Sequence, residues 1–500
     1  MRQLKEKHIV KVAYPARLYI DGSWAGSASD ATFVVEDPAT GVEVAAVADA
    51  TPEDGVAALD AACAVRDSWQ STPPRVRGEI LRRVFEALTA RTEEFARIIT
   101  LEAGKPIIES RSEVAYAAEF LRWFAEEAVR VGGRTAISPD GKSRLWVERR
   151  AVGPCLLITP WNFPLAMATR KIAPAVAAGC PMVVKPAELT PLSTLLLAEL
   201  FIDAGLPNGV LNIVPTSDPS ALTRRLLSDP RLRKVSFTGS TPVGRTLLQL
   251  ASTHVIRTSM ELGGNAPFIV FADACVDAAV AGAVQAKLRN GGQACTAANR
   301  FLVHESVVDE FSAKFAAHMD QLRLGPGVDP RTDIGPLINQ RAVDKVAGLV
   351  EDAVDESGAR VLTRGQSSDR SGYFFRPTVL ADVPVTAGVL DHEIFGPVAP
   401  ISSFSSDEEA LRYANDTEYG LAAYVYTSDL DRAMTMSESI EVGMVAVNTG
   451  LISNPAAPFG GIKQSGLGRE GGAEGIAEYL DIRYASFPAT RFNGRSQQAG

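Results

Sequence analysis

The spacing of apolar positions changes along this chain. Residues 17–50 carry short apolar runs broken by turn residues, with Leu18-Tyr19-Ile20 ahead of Asp21-Gly22, and read as short strands. From about 52 to 130 the apolar positions recur at helical spacing, with long amphipathic stretches such as 75–100. Beyond 144, strand-like runs alternate with helical ones. Leu156-Leu157-Ile158 precedes a helical run near 165–178, and Met182-Val183-Val184-Lys185 precedes a helix over 191–204. Val210-Leu211-Asn212-Ile213-Val214 precedes 219–228, and Lys234-Val235-Ser236-Phe237 precedes 241–252. That alternation predicts a parallel sheet of βα units, an architecture of the dinucleotide-binding kind.

A second α/β set begins after Gly263-Gly264, with Phe268-Ile269-Val270, a helix over 277–289, a strand over 300–303 and further alternation to about 448. Residues 449–475 are rich in Gly, Pro and Ser, and a loop of that length in a compact protein is usually functional. The polar tail 488–500 reads as disordered.

Composition narrows the classes. A chain of 500 residues has room for two or three domains with large cores. Its net charge of -9 and lack of a long basic run argue against nucleic acid or an anionic membrane as partner. An anionic small substrate stays open, because a site can be locally basic. Five irregularly spaced cysteines form neither a disulfide framework nor a zinc site, and none of the five histidines stands at ligand spacing from a cysteine. No metal is expected. The N-terminal stretch has no apolar core of the signal-peptide kind, and no run reaches the roughly 18 apolar residues of a membrane span. A cytoplasmic enzyme is the expectation.

The strongest chemical signal is Asn290-Gly291-Gly292-Gln293-Ala294-Cys295-Thr296, which puts one cysteine in a loop of small residues. A substrate carbon can approach such a thiolate closely. A buried, inert cysteine is the alternative, and Cys63, Cys155, Cys180 and Cys275 are read that way. Glu261 stands between apolar neighbours and Gly263-Gly264, where desolvation would raise its pKa into the range of a general base; an acid merely ending a strand is as good a reading. In Thr159-Pro160-Trp161-Asn162-Phe163-Pro164, two prolines stiffen the turn, and Asn162 offers an amide N–H of the oxyanion-hole type or else caps the following helix. Phe237-Thr238-Gly239-Ser240 ends a strand and opens a helix, a weak signal for pyrophosphate. Lys185 and Glu188 in Lys185-Pro186-Ala187-Glu188 could reach ribose hydroxyls, although Glu188 would also suit the helix start at Thr190-Pro191.

Together these pieces resemble the aldehyde dehydrogenase superfamily over nearly the whole chain. The matching motifs are TPWNFP at 159–164, KPAE at 185–188, FTGS at 237–240, MELGGN at 260–265, GGQAC at 291–295, EIFGP at 393–397 and PFGGIKQSGLGRE at 458–470. Spacing agrees too: 34 residues separate Glu261 from Cys295, and 99 separate Asn162 from Glu261. The resemblance implies a Rossmann-type cofactor domain over 1–133 and 155–262, an α/β catalytic domain over 263–450, and a small β oligomerisation element from 134–154 and 476–490. A flexible tail over 491–500 completes that division. It implies that Cys295 attacks the aldehyde carbon, that Asn162 and the Cys295 N–H hold the oxyanion, that hydride passes to a nicotinamide, and that Glu261 activates water to hydrolyse the thioester. Thr159, Pro160, Trp161, Lys185, Ala187, Glu188, Gly239, Ser240, Leu262, Glu393 and Phe395 would contact the cofactor. A carboxylate at 188 would accept from a free 2′-hydroxyl and repel a 2′-phosphate, which favours NAD over NADP.

Within the superfamily the chain looks most like the succinate-semialdehyde dehydrogenases, which hold the distal carboxylate with two arginines and a serine. The matching positions are Arg170, Arg289 and Ser453. Two guanidinium groups in an apolar tunnel would bind a carboxylate by charge-assisted hydrogen bonds. Each residue also has a plainer reading: Arg170 beside Lys171 as a helix-surface charge, Arg289 as a cation in the last turn of a helix, Ser453 as a loop serine. The run Asn454-Pro455-Ala456-Ala457 alters the tunnel lip and keeps glutarate semialdehyde in contention. Ala297 stands where some relatives carry a second cysteine, which removes one form of disulfide control. A dehydrogenase for other aldehydes, a non-redox cysteine acyl-transfer or hydrolytic enzyme, and a catalytically silent relative are the competing readings. A homodimer or homotetramer is expected, with Ser143–Arg150 and Ile482–Phe487 pairing across subunits.

Overall fold

A computed structural model of the chain describes residues 15–364 and 371–489. The block read as helical is four helices, Pro52–Ser71, Pro74–Ala90, Thr92–Ala103 and Ile107–Glu127. The first opens on a capping box in which Thr51 and Asp54 satisfy each other's backbone N–H. The third stops at Gly104, whose left-handed backbone (φ 77°) closes the last turn at low steric cost.

The expected parallel sheet is present and larger than its βα units. Its spatial order is Gly466–Leu467, Arg257–Glu261, Lys234–Thr238, Cys155–Ile158, Met182–Lys185, Leu211–Ile213, Leu18–Ile20 and Ser23–Ala25. The five strands from Arg257–Glu261 to Leu211–Ile213 run parallel, and the three others are antiparallel additions at the two ends. Every residue of those five strands except Arg257 and Thr258 is buried, as expected for a sheet covered by helices on both faces. The helix Pro164–Ala178 is buried along all fifteen residues, so Arg170 and Lys171 are not surface charges and that plainer reading of Arg170 fails.

The second sheet follows the order Arg360–Val361, Thr378–Ala381, Val398–Phe404, Ala298–His304, Ala266–Val270, Ala422–Tyr426 and Met444–Val447. It is parallel apart from Arg360–Val361. The helix expected over 277–289 spans Val276–Leu288, leaving Arg289 just past its end. The irregular stretch 449–475 supplies one unforeseen element: Leu467 and Gly466 pair with Met260 and Glu261 at the edge of the first sheet.

A third sheet consists of Leu480–Pro488, Ser143–Ala151 and Arg134–Ile137, with Ser143–Ala151 in the middle. The stretches expected to pair across subunits thus pair with each other in one chain, from Leu480 opposite Ala151 to Pro488 opposite Ser143. The nine-residue antiparallel register pairs them within the chain and leaves Leu480–Pro488 as an edge strand of the sheet. Trp146, Ile482, Tyr484 and Phe487 remain exposed on it. Two cysteines also depart from expectation: Cys155 and Cys180 are buried, but Cys63 is only half-buried and Cys275, at the start of Val276–Leu288, is exposed. Among the described residues no helix is long and apolar enough to cross a membrane, and no group of side chains could hold a metal ion. The tail over 491–500 lies outside the described residues.

Candidate active site

Cys295 lies where the two main sheets meet. It opens onto a cavity of about 520 Å³ that is also lined by Asn162, Arg170, Arg289, Glu393, Phe395 and Ser453. The loop ahead of it turns through three left-handed residues, Asn290, Gly291 and Gly292. A Cβ on Gly292 would collide with the Gly396 carbonyl, and one on Gly264 with the Cys295 carbonyl. Those two glycines therefore let three motif segments close on the thiol, which accounts for GG in both GGQAC and MELGGN. The loop is pinned further by the Ile338 N–H, donating to Gln293 Oε1 at 2.9 Å, and by Tyr424 Oη, donating to the Thr296 carbonyl at 2.8 Å. Burial pushes the Cys295 thiol up to about 12, against the pull of the Arg170 cation.

Asn162 does not cap the helix behind it. Its Nδ2 donates to the Gln293 carbonyl at 3.0 Å, directing the amide at the cysteine loop. The cap of Pro164–Ala178 comes from Glu113, whose Oε1 accepts from the N–H groups of Leu165 (3.0 Å) and Ala166 (3.2 Å). The Asn162 carbonyl in turn accepts from Lys105 Nζ at 2.7 Å and Asn290 Nδ2 at 3.0 Å. Asn162 and Cys295 both line the cavity, and a side-chain amide together with a backbone N–H is the kind of donor pair an oxyanion needs.

Glu261 ends the strand Arg257–Glu261 and is not among the residues lining the Cys295 cavity. Both its carboxyl oxygens are buried without a hydrogen-bond partner. Burial pushes its pKa well above the ordinary carboxylate range and the nearby Glu470 adds to the rise, while Lys171 and Arg170 oppose it. Glu470 itself accepts from Lys171 Nζ at 2.5 Å and stands 3.6 Å from Arg170 Nη1. A Cβ on Gly460 would lie 2.9 Å from Glu261 Oε1, so the carboxyl rests against bare backbone on a side where any other residue would intrude.

The arginine–arginine–serine set comes together. Arg170, only 2% exposed, donates through Nη2 to Tyr116 Oη and, at 3.5 Å, to Ser453 Oγ. Its guanidinium lies 4.1 Å from the Phe459 ring centre. Arg289 lies 4.5 Å over the Phe163 ring and makes no ion pair among the described residues. The cations Arg170, Lys171 and Arg289 stand against Glu470 and against Glu261 and Glu109, two carboxyls whose pKa burial raises, which leaves the cluster net positive.

On one side the cavity reaches the C-terminal ends of the parallel strands, the place where dinucleotides lie in open α/β sheets. Pro160, Trp161, Gly239, Ser240, Leu262, Glu393 and Phe395 line the cavity on that side. The helix Thr241–Ser252 starts at Ser240 with no side-chain cap, and Thr159 Oγ1 and Thr238 Oγ1 are buried without partners. Uncapped N–H groups, unmatched hydroxyls and small residues at one helix start fit a pyrophosphate. Lys185 Nζ pairs with Glu188 at 3.3 Å, and Glu188 keeps 40% of its side chain exposed beside the buried Ala187. These three and Thr159 do not line the cysteine cavity. Glu393 accepts from the Gly264 N–H at 3.2 Å, and its burial lifts it to about 7. Phe395 holds a positive φ of 58° and meets Trp161 edge-on at 5.4 Å.

Sequence reading missed Tyr116, Lys105, Lys171 and Glu470. Only Glu470 had a signal, as the final residue of PFGGIKQSGLGRE. Tyr116 and Lys171 sit in helices and Lys105 in the link between two helices, where nothing in the local pattern marks them.

Comparison with known proteins agrees with this geometry. Residues 24–485 match the aldehyde dehydrogenase family model. A succinate-semialdehyde dehydrogenase of Paenarthrobacter nicotinovorans is 62% identical over 88% of this chain and 98% of its own. An NADP(+) succinate-semialdehyde dehydrogenase of Escherichia coli strain K12 is 47% identical over 93% of this chain and 96% of its own. The crystal structure of succinate-semialdehyde dehydrogenase from Burkholderia pseudomallei superposes with a TM-score of 0.94 at 48% identity, covering 96% of this chain and 99% of that one.

Proposed function

The chain belongs to the aldehyde dehydrogenase family, and from that premise we propose that it oxidises succinate semialdehyde to succinate with NAD. Oxidation of an aldehyde with NAD or NADP is the activity of the family. The observation that carries the finer reading is the net-positive wall of Arg170, Arg289 and Ser453 in the cavity of Cys295. A carboxylate there gains charge-assisted hydrogen bonds in a low-dielectric pocket, whereas a neutral chain end returns nothing for desolvating Arg289.

In this reading Cys295 is the nucleophile. Arg170, the strongest charge pulling its pKa down, assists ionisation of the thiol. The Asn162 amide and the Cys295 N–H hold the oxygen of the attacked carbonyl as charge develops on it. The nicotinamide, when bound, supplies the hydride acceptor. Thr159, Pro160, Trp161, Lys185, Ala187, Glu188, Gly239, Ser240, Leu262, Glu393 and Phe395 would hold the cofactor. Glu261 takes a proton from the water that hydrolyses the Cys295 thioester, and its raised pKa makes it a stronger base than an ordinary carboxylate once ionised. Because Glu261 lies behind the cavity, its side chain has to swing toward Cys295 for that step. NAD is preferred over NADP because the half-exposed Glu188 presents negative charge to a 2′-phosphate, although Lys185 offsets part of it.

A second substrate, glutarate semialdehyde, is favoured by one observation. The wall of Arg289 and Ser453 borders a further cavity of about 480 Å³, which gives a longer chain somewhere to go. The cofactor unit is taken as the eight-stranded sheet with its helices, and the catalytic unit as the seven-stranded one. Assembly into a dimer or tetramer would cover the apolar face of the three-stranded sheet. A cytoplasmic setting goes with the five unpaired thiols.

The test is the initial rate of NADH appearance with succinate semialdehyde, beside glutarate semialdehyde and butyraldehyde, repeated with NADP. Preference for succinate semialdehyde with NAD supports the reading. Equal rates on butyraldehyde discard the carboxylate wall, and faster turnover with NADP discards the role given to Glu188.

A further inference from the structure

Two cavities meet at one wall. The Cys295 cavity and its neighbour share Tyr116, Phe163, Arg289 and Ser453. At that wall Tyr116 Oη and Ser453 Oγ lie 2.6 Å apart, and Arg170 Nη2 donates to the same phenol oxygen. The Arg289 guanidinium lies 5.6 Å from the centre of the Tyr116 ring. One side chain, delivered by the helix Ile107–Glu127, therefore touches all three groups of the carboxylate wall.

The proton inventory constrains what this phenol does. Arginine has donors only, so Tyr116 Oη accepts from Arg170. Its own hydrogen is then left for one acceptor. In the free protein the phenol and Ser453 Oγ share a 2.6 Å hydrogen bond in which either oxygen can donate; a carboxylate at the wall, with about four lone-pair sites, is a stronger acceptor for the phenol hydrogen. Arg170 has already committed Nη2 to the phenol, and Nη1 faces Glu470 at 3.6 Å. Arg170 Nε is buried without a partner, so the hydrogens facing the cavity for a bound carboxylate include those of Tyr116 Oη, Ser453 Oγ and Arg289 beside any that Arg170 keeps free.

We propose that Tyr116 is a specificity-determining residue: its hydroxyl fixes the Arg170 guanidinium at the wall and donates to the distal carboxylate of the aldehyde substrate. This rests on the carboxylate-aldehyde reading above. It adds that the neutral phenol donates a direct hydrogen bond on that side, polarised by the Arg170 guanidinium that donates to its oxygen. The ring has a separate packing task, meeting Phe120 edge-on at 4.9 Å, and that task survives loss of the oxygen.

Tyr116→Phe keeps the ring and removes only the hydroxyl. Wild type and variant are compared for kcat and KM on succinate semialdehyde and on butyraldehyde. Losing a hydrogen bond to a charged group is expected to raise KM for the semialdehyde roughly tenfold or more, with kcat and the butyraldehyde kcat/KM within about twofold. Ser453→Ala, which leaves the phenol facing the carboxylate, is expected to cost less than Tyr116→Phe on the same substrate. If wild type prefers the semialdehyde and Tyr116→Phe leaves that preference unchanged, or lowers both aldehydes by one factor, Tyr116 is a packing residue and the proposal is overturned alone. If wild type shows no preference, the carboxylate reading falls and takes the proposal with it.

Discussion

Lys105 Nζ donates to the backbone carbonyl of Asn162 at 2.7 Å and to Glu113 Oε2 at 2.5 Å, with both charged side chains at most 1% exposed. Glu113 also caps the helix that follows Asn162. One buried ion pair thus fixes the backbone on both sides of Phe163 and sets the direction of the oxyanion amide. Lys105→Met should lower kcat about tenfold to a hundredfold, less than outright loss of an oxyanion donor. It should also destabilise the fold by about 3–5 kcal/mol by stranding Glu113. Adding Glu113→Gln should restore much of the thermal stability but not kcat; recovery of both would show that Lys105 serves stability alone.

Cys295→Ala should abolish oxidation while cofactor binding persists. Because burial holds the thiol at about 12, the thiolate fraction is small at neutral pH and grows with alkalinity. Labelling by iodoacetamide should therefore rise about tenfold per pH unit from 7 to 10, without levelling near the ordinary thiol value. Arg170→Ala removes the main charge that lowers this pKa and should slow labelling at fixed pH. A plateau near pH 8.5 would contradict the burial argument.

Glu261→Gln should give a burst of NADH close to one per active site and then stall at the thioester. In wild type, deacylation needs Glu261 ionised. Its pKa is raised, so the hydrolytic step should weaken as pH falls from neutral, well before an ordinary carboxylate would protonate. Rapid-mixing traces across pH measure both, and a variant with full steady-state turnover would assign the base elsewhere.

Glu188→Ser removes the carboxylate that pairs with Lys185 at 3.3 Å. The freed ammonium can then meet a 2′-phosphate. The ratio of kcat/KM for NADP to that for NAD should climb by about tenfold or more. An unchanged ratio would place cofactor choice outside this strand end.

How far the sequence reaches differs between neighbouring residues. Cys295, Asn162 and Glu261 stand out because their chemistry demands a specific side chain in a tight turn, and Gly291-Gly292, Pro160 and Gly263-Gly264 record that demand within a few positions. The alternation of strands and helices was legible for a similar local reason, since burial against a helix layer imprints its own period on each segment. For Arg170, by contrast, the sequence left a carboxylate ligand and a surface charge beside Lys171 both open, and only packing shows a helix covered on every side. Its partners Tyr116, Ser453 and Glu470 lie 54, 283 and 300 positions away in a chain whose numbering carries no trace of their contact. Ser143–Ala151 and Leu480–Pro488 pair within one chain where pairing across subunits was expected, because strand pattern specifies a face and not a partner. The sequence by itself determined which chemistry is carried and the class of fold that carries it. Tertiary structure decided which charges meet, because long-range contacts depend on how whole layers pack and not on any local pattern.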